Sequence, residues 1–346
     1  MKTLIPFLDV GDVDFYYHLL RSLAHDGAQV EIAYLKGNIS ETWSDLGFIK
    51  LPQETPRKSW GLLLQKEYCK PLRDVKADVI FVLSELWALS FAYKCSKSLK
   101  IPYIVWLRGD HRRVREVRRI NPAKRIVSNA LEVFLLNKAE YVIPNSLSLR
   151  EKALEWGVKS EKVTEPAYNG VDTDFFKPLK VQRPSEFTVG YAGRLSPEKR
   201  FDALVRIAGE LKDIRFLITG PRPPEASLPP NVEYIGRLPF NRMPYFYNMI
   251  DLLALPSATE SFPSVILEAY ATAKPVLATP EAFPRELEVY GSVAPLERFA
   301  EEIQELRKAD LHEIGRKARE YVAEKFTWKA FADTVLKYLN MAASKI

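Results

Sequence analysis

Two short segments in the second half of the chain concentrate charged side chains whose types and spacing could do chemistry. The first, GRLSPEK, offers the cations Arg194 and Lys199, and the second, ESFPSVILE, offers the carboxylates Glu260 and Glu268. Fixed cations can neutralise a diphosphate, and a carboxylate accepts two hydrogen bonds at once from paired hydroxyl groups. Together and in this order, the two segments predict a site for a nucleoside-diphosphate sugar.

The pattern around the first segment predicts how its cations are held. An apolar strand precedes Gly193, and Ser196 followed by Pro197 is typical of a helix start with serine as the N-cap. A helix beginning there would direct its free amides towards an anion, and both cations would flank that N-terminus. The alternative is that both cations are surface or salt-bridge residues.

The second segment lies across a strand-to-helix junction. Glu260 falls on the loop after a strand over Leu252–Leu255, and Glu268 falls in the second turn of a helix that begins near Pro263. In open α/β sheets ligands bind beyond the carboxyl ends of the strands, so this loop is a candidate binding loop. The alternative is that Glu268 only complements the helix dipole and that Glu260 is a cap.

Apolar runs of strand length alternate with helical patterns along the chain, which is typical of parallel sheets built from βαβ units. The predicted strands are Thr3–Val10, Gln29–Leu35, Asp78–Leu83, Pro102–Leu107, Tyr141–Pro144, Phe187–Ala192, Arg215–Thr219, Val232–Ile235, Leu252–Leu255 and Pro275–Ala278. The predicted helices include 126–139, 197–211, 244–249, 263–272, 298–308 and 313–341, the last broken near 326–328. The fold class is therefore α/β, with domains at 1–168 and 187–326, a linker at 169–186 and a terminal helix at 327–346.

Composition excludes several classes of protein. The 346 residues, 47% hydrophobic and 27% charged, fit two globular domains. The two cysteines cannot build a disulfide framework and favour a reducing compartment, and the four histidines are scattered, which gives no metal cluster. No window has the roughly 20 apolar residues of a membrane span. The N-terminus is too short and too acidic for a signal peptide, so we expect a cytoplasmic protein.

The net charge of +6 is concentrated between residues 108 and 125, where eight Lys or Arg accompany two acids. A solvated helix face is the simplest explanation. The stretch could also bind a polyanion or rest on the anionic cytoplasmic membrane, with Val114 and Val117 as a narrow apolar stripe if 112–120 is helical. Nucleic acid is not predicted, because no aromatics interleave the basic residues and no nucleic-acid motif accompanies them.

Four segments occur in an order that resembles a known family. They are NGVD at 169–172 with Phe176 and Pro178, GRLSPEK at 193–199, DLLALPS at 251–257, and ESFPSVILEA at 260–269 with Pro275 and Val276. In these segments the chain resembles the family 4 glycosyltransferases of the GT-B fold. The first half resembles them in its strand rhythm and in PNS at 144–146.

The resemblance implies two Rossmann-like domains facing across a cleft, with the C-terminal helix crossing back onto the N-terminal domain. It implies that Arg194 and Lys199 hold the diphosphate, that Glu268 binds the ribose hydroxyls and that Glu260 grips the donor sugar. The implied donor-binding residues are Gly193, Arg194, Lys199, Glu260, Ser261, Phe262, Pro263, Ser264 and Glu268. A hexosyl unit would pass from a UDP- or GDP-linked donor to a hydroxyl acceptor, with retention of configuration and without a metal or other cofactor.

On the acceptor side the resemblance points to two loops of the first half. One follows the first strand and contains Gly11 and Asp12. The second loop follows the predicted strand Pro102–Leu107. Family members often carry a histidine in this loop near the anomeric carbon, and here either His111 or Arg108 would take the position of that histidine. With His111 in that place, the catalytic set is completed by Arg194, Lys199 and Glu260. The acceptor itself would be a glycan, a lipid-linked sugar or a small molecule.

Departures from the family pattern leave the acceptor and the sugar open. Arg200 follows Lys199 where glycine is common, and Ser261 and Lys274 replace frequent glycines. Two other functions share this two-domain architecture. A nucleotide-sugar epimerase would bind the same donor, and a non-catalytic partner subunit would keep the fold without the chemistry.

Overall fold

Parallel strands that are buried on both faces have continuous apolar sequences. Strands of this kind form two sheets in this chain. The computed structural model describes residues 1–9, 14–37, 43, 46–64, 67–224 and 227–345. The chain divides into two compact units. The first comprises Met1–Gly109, Asn121–Tyr168 and Trp328–Ile346, and the second comprises Asp110–Ile120 and Asn169–Thr327.

The helices and strands follow in chain order. Up to residue 155 they are β1 (Lys2–Asp9), α1 (Asp14–His25), β2 (Gln29–Lys36), β3 (Gly47–Lys50), α2 (Ser59–Leu64), β4 (Val79–Val82), α3 (Leu86–Leu99), β5 (Tyr103–Leu107), α4 (His111–Val117), α5 (Pro122–Lys138), β6 (Val142–Pro144) and α6 (Leu147–Glu155). From residue 188 they are β7 (Thr188–Ala192), α7 (Phe201–Glu210), β8 (Arg215–Thr219), β9 (Val232–Tyr234), α8 (Met243–Met249), β10 (Leu252–Leu255), α9 (Ser264–Ala271), β11 (Val276–Ala278), β12 (Ser292–Val293), α10 (Phe299–Leu306), α11 (Leu311–Lys325) and α12 (Trp328–Ala343).

The first unit is a parallel sheet with helices on both faces. Over its described residues the strand order is β3-β2-β1-β4-β5-β6, with the first strand in the middle, which is the doubly wound arrangement. Successive side chains of β1 enter opposite layers of the core. Leu4 packs in one layer with Phe91 of α3, and Ile5 packs in the other with Leu19 of α1 and Phe331 of α12. The C-terminal helix α12 therefore completes this unit, as the family resemblance implies.

The second unit repeats the same arrangement. Its described strands are parallel in the order β12-β11-β10-β7-β8-β9, with its own first strand in the middle. The carboxyl ends of parallel strands meet at one edge of a sheet. In this unit that edge carries the loops after β7, β8, β10 and β11, which include both charged segments. The α/β prediction with two Rossmann-like domains is thus confirmed.

Several local predictions differ from the structure. The pattern misses β3, which has no fully buried residue, and β12, which has two residues. The helix predicted over 197–211 is also wrong at its start, because Pro197–Lys199 forms a 3-10 turn and α7 begins at Phe201. Between them Arg200 adopts a left-handed conformation with φ of 50°, which breaks the helix.

The two cysteines are paired with each other, although their small number favours a reducing compartment. Cys69 and Cys95 form a disulfide with their Cα atoms 5.5 Å apart, and both are fully buried. Cys69 lies in a 3-10 turn before β4 and Cys95 lies in α3. Their closeness depends on packing across 26 positions, which the sequence does not reveal.

Among the described residues, no helix has both the length and the apolar character needed to cross a membrane.

Candidate functional site

The segment after β7 places its charges differently from the sequence prediction. Ser196 does not cap a helix; its hydroxyl donates a hydrogen bond of 2.7 Å to the carboxylate of Glu198. Gly193 lies beside the loop after β8, where a side chain at Gly220 would collide with the carbonyl oxygen of Gly193. Lys199 consequently precedes α7 and lies in a tight turn that is fixed by neighbouring loops.

A buried carboxylate organises this turn. Glu198 is 2% exposed, and Arg118 donates to both of its oxygens, with Nε 3.0 Å from Oε2. Burial raises the pKa of Glu198, but the hydrogen bonds from Arg118 and Ser196 outweigh it and lower that pKa to about 2. Arg194 lies at the edge of the same cluster, with Nη2 3.4 Å from Oε1 of Glu198. Glu198 therefore stays ionised, and the cluster with its two arginines is cationic overall.

The two charged segments meet through an ion pair. Lys199 donates from Nζ to Oε1 of Glu260, and both side chains are mostly buried. A backbone hydrogen bond of 2.7 Å from the amide of Ala258 to the carbonyl of Glu198 supports the same junction. The loop after β10 is tied to the loop after β11 as well, because the amide of Glu260 donates to the carbonyl of Glu281 at 3.0 Å. The structure thus brings together Lys199 and Glu260, which are 61 positions apart.

Glu268 lies on α9 in a more enclosed environment. It is 9% exposed, and the hydroxyl of Tyr247 on α8 donates to its Oε2 at 2.6 Å. Burial raises the pKa of Glu268 to about 7, although the Tyr247 hydrogen bond acts in the opposite direction. The side chain can therefore change protonation near neutral pH. Its role towards ribose stays a prediction.

The loop that leads into α9 is anchored by Asn169, which belongs to the same unit. The side-chain amide of Asn169 donates to the carbonyl of Phe262 at 2.7 Å and to Oγ of Ser264 at 3.2 Å. Phe262 is buried, whereas Ser261 beside it is partly exposed. Pro263 precedes the helix and provides no side-chain cap, so the first amides of α9 are not capped by a side chain.

Of the residues predicted for the acceptor side, Arg108 and His111 lie in the part of the chain that the structure describes. Arg108 belongs to the first unit, where its guanidinium lies 4.7 Å from the ring centroid of Tyr16 and 4.8 Å from that of Trp106. His111 is the first residue of α4 and belongs to the second unit. Gly11 and Asp12 lie outside the described residues. The choice between Arg108 and His111 stays open.

Sequence reasoning missed two residues of this site. Arg118 stands among the basic residues of the 108–125 stretch, and nothing there distinguishes it as the partner of Glu198. Tyr247 lies in an aromatic run of α8, where its contact with Glu268 depends on helix packing. Across the described part of the chain, no group of three or more His, Cys, Asp or Glu side chains could hold a metal ion.

The chain matches two related families over consecutive regions. Residues 14–175 match the family described as Glycosyltransferase Family 4, and residues 186–309 match the family described as Glycosyl transferases group 1. The chain is 25% identical over 308 residues to the 2-deoxystreptamine glucosyltransferase of Streptomyces kanamyceticus, a match that covers 78% of this chain and 79% of the relative. It is 31% identical over 205 residues to the D-inositol 3-phosphate glycosyltransferase of Mycobacteroides abscessus, covering 50% of this chain but only 45% of that relative.

Solved structures share the fold over the full length. The sucrose-phosphate synthase of Thermosynechococcus elongatus superimposes with a TM-score of 0.82 at 19% identity, covering 100% of both chains. HepE of Anabaena, in complex with UDP and glucose, superimposes with a TM-score of 0.79 at 19% identity, covering 98% of this chain and 99% of its own. At this level of identity the likeness establishes the fold.

Proposed function

Because the chain belongs to the family 4 glycosyltransferases, we propose that it transfers a hexosyl unit from a UDP- or GDP-linked sugar to a hydroxyl acceptor. The observation that carries the proposal is the ion pair of Lys199 with Glu260, which joins the two segments of the nucleotide-sugar hypothesis. The donor class is supported by HepE, whose structure contains UDP and glucose. The acceptor would be a glycan, a lipid-linked sugar or a small molecule.

The proposed chemistry requires the diphosphate to leave while positive charge builds on the sugar. Hydrogen-bond donors that are already in place at the leaving oxygens lower this barrier. In the proposal Lys199 turns from Glu260 to a phosphate oxygen, and the exposed guanidinium of Arg194 binds a second one. The uncapped amides at the N-terminus of α9 complete the anion site. Departure would then proceed without a metal ion and with retention at the anomeric carbon.

The two carboxylates would orient the donor and would not attack the sugar. Once Lys199 binds phosphate, Glu260 can accept hydrogen bonds from the hydroxyls of the donor sugar. Tyr247 holds Oε2 of Glu268, which leaves Oε1 for a ribose hydroxyl. On the acceptor side, His111 or Arg108 would lie near the anomeric carbon.

A thermal-shift screen of UDP-, GDP- and ADP-sugars tests donor binding, because a ligand that binds the native state raises the melting temperature. Stabilising donors are then incubated with sugar and lipid-linked acceptors, and the products are identified by mass spectrometry. We expect a glycosylated acceptor and a free nucleoside diphosphate. An isomerised donor in the absence of acceptor would instead indicate an epimerase, and no stabilisation by any donor would overturn the proposal.

A further inference from the structure

One face of α5 is apolar and points outward. Ala123, Val127, Ala130 and Phe134 recur at helical spacing, and Ile126 lies beside them. Ile126 is 67% exposed, Val127 is 55% exposed and Phe134 is 45% exposed. The residues of α5 that are buried in the structure are Glu132, Leu135 and Leu136.

The exposed charges on α5 have one sign. Glu132 is the single acidic residue in the sequence of α5, and it is buried on the opposite side from Phe134. Lys124 and Lys138 are exposed on the same helix, and Nζ of Lys138 lies 5.6 Å from the ring centroid of Phe134. A surface that is apolar in the middle and cationic at its edge is complementary to a layer of anionic headgroups over acyl chains.

A neighbouring helix extends the same character. The ring of Tyr93 on α3 packs edge-on against Phe134, with 5.5 Å between centroids. Nζ of Lys97 lies 5.0 Å from the ring centroid of Tyr93. Aromatic side chains with lysines that extend past them are enriched at the interface between membrane and water.

We propose that the α5 face, defined as Ala123, Ile126, Val127, Ala130 and Phe134, docks the protein onto an anionic membrane surface. The surrounding lysines attract the headgroups, and the apolar side chains enter the boundary with the acyl chains. The sequence had suggested Val114 and Val117 of α4 for this contact. Both of those residues are half-buried, and Arg118 beside them binds Glu198.

Vesicle binding tests this proposal without any donor or acceptor, so its outcome is independent of the proposed transfer. The protein is mixed with vesicles of phosphatidylcholine, or of phosphatidylcholine with phosphatidylglycerol, and bound protein is separated by flotation. We expect binding to the anionic vesicles that weakens at high salt. The double variant V127S/F134S should bind about tenfold more weakly or worse, because it loses the apolar contact.

Matched variants separate this effect from a general loss of apolar or charged residues. V289S removes a valine that is 65% exposed in the second unit and should bind like the wild type. K124Q/K138Q should lower binding to anionic vesicles, whereas K317Q/K325Q on α11 should not. No binding by the wild type, or equal binding by V127S/F134S, would overturn the proposal. A dimer that V127S/F134S dissociates, without vesicle binding, would assign the face to a second copy instead.

A site-specific fluorophore gives the depth of contact. The native cysteines are buried in a disulfide, so V127C supplies the reactive thiol for an environment-sensitive label, with labelled wild type as the blank. Its emission should shift to the blue with anionic vesicles, whereas labelled V289C should not respond. A shift at V289C and none at V127C would show that another surface contacts the lipid.

Discussion

Arg118 binds the buried carboxylate of Glu198 through two guanidinium nitrogens, across 80 positions of sequence. Both residues belong to the second unit, although the chain on either side of 110–120 belongs to the first. The same carboxylate lies 3.4 Å from Nη2 of Arg194, whose side chain is 61% exposed. Since Arg118 supplies the stronger pair of hydrogen bonds, Arg194 remains available for an anionic ligand.

Removing Arg118 should destabilise the second unit. In R118A the carboxylate of Glu198 remains buried with its main partner gone, and we expect a loss of about 1–2 kcal/mol in the free energy of unfolding. This figure is reduced for solvent screening, because the Arg118 side chain is 38% exposed. Urea denaturation of R118A and the wild type measures this difference in the free energy of unfolding. R113A, which breaks a surface pair with Glu116, should cost under about 0.5 kcal/mol; equal effects of the two variants would contradict the burial argument.

The pair of Lys199 and Glu260 should be required for transfer. If each residue contacts the reacting donor, K199A and E260A should each lower kcat by about 10²-fold or more, because a preorganised charge-assisted contact is lost. Turnover is measured with the donor that the thermal-shift screen identifies. K212A removes an exposed lysine of the same unit and serves as the control. Wild-type kcat in correctly folded K199A and E260A would show that the site lies elsewhere.

The fold could be predicted because its buried strands appear in the sequence as continuous apolar runs. The predicted runs at Arg215–Thr219 and Leu252–Leu255 match β8 and β10 in full. The edge strand β3 has no such signal, because its first three residues are half-buried, its last residue Lys50 is exposed and it includes Gly47. The strand signal is therefore clear for these buried strands and absent from the edge strand β3.

The site was predictable only in its charged segments. Lys199 and Glu260 could be proposed as neighbours because both follow strands of one parallel sheet. The contact of Arg118 with Glu198 could not, since it depends on how the 110–120 segment packs in three dimensions. The start of α7 was also misjudged, because Ser196 and Pro197 form a plausible cap. The glycine that is common at the position of Arg200 was a sign of the left-handed residue that breaks the helix.

The disulfide should be detectable in the purified protein. Thiol titration after denaturation without a reductant should find no free thiol, because Cys69 and Cys95 are paired. Reduction should lower the free energy of unfolding by about 3 kcal/mol, as expected for closure of a loop of this length. The same reductant should not change the stability of C69A/C95A. Two titratable thiols in the unreduced, denatured protein would contradict the pairing.

Protonation of Glu268 should couple stability to pH near neutrality. Its pKa is raised from 4.5 to about 7 by burial, so the folded state binds this proton more tightly than the unfolded state does. The resulting stabilisation is complete below about pH 4.5 and is lost as pH rises through about 7, by roughly 3 kcal/mol. E268Q should lack this contribution, and the difference in unfolding free energy between E268Q and the wild type is measured at about pH 5 and about pH 8.

Y247F loses a hydrogen bond that lowers the pKa of Glu268, so the loss of stability in Y247F should occur at higher pH than in the wild type. If the carboxylate also accepts a ribose hydroxyl, donor affinity of the wild type should rise through the same range and that of E268Q should not. An identical pH dependence of stability in the wild type and E268Q would rule out a protonated Glu268.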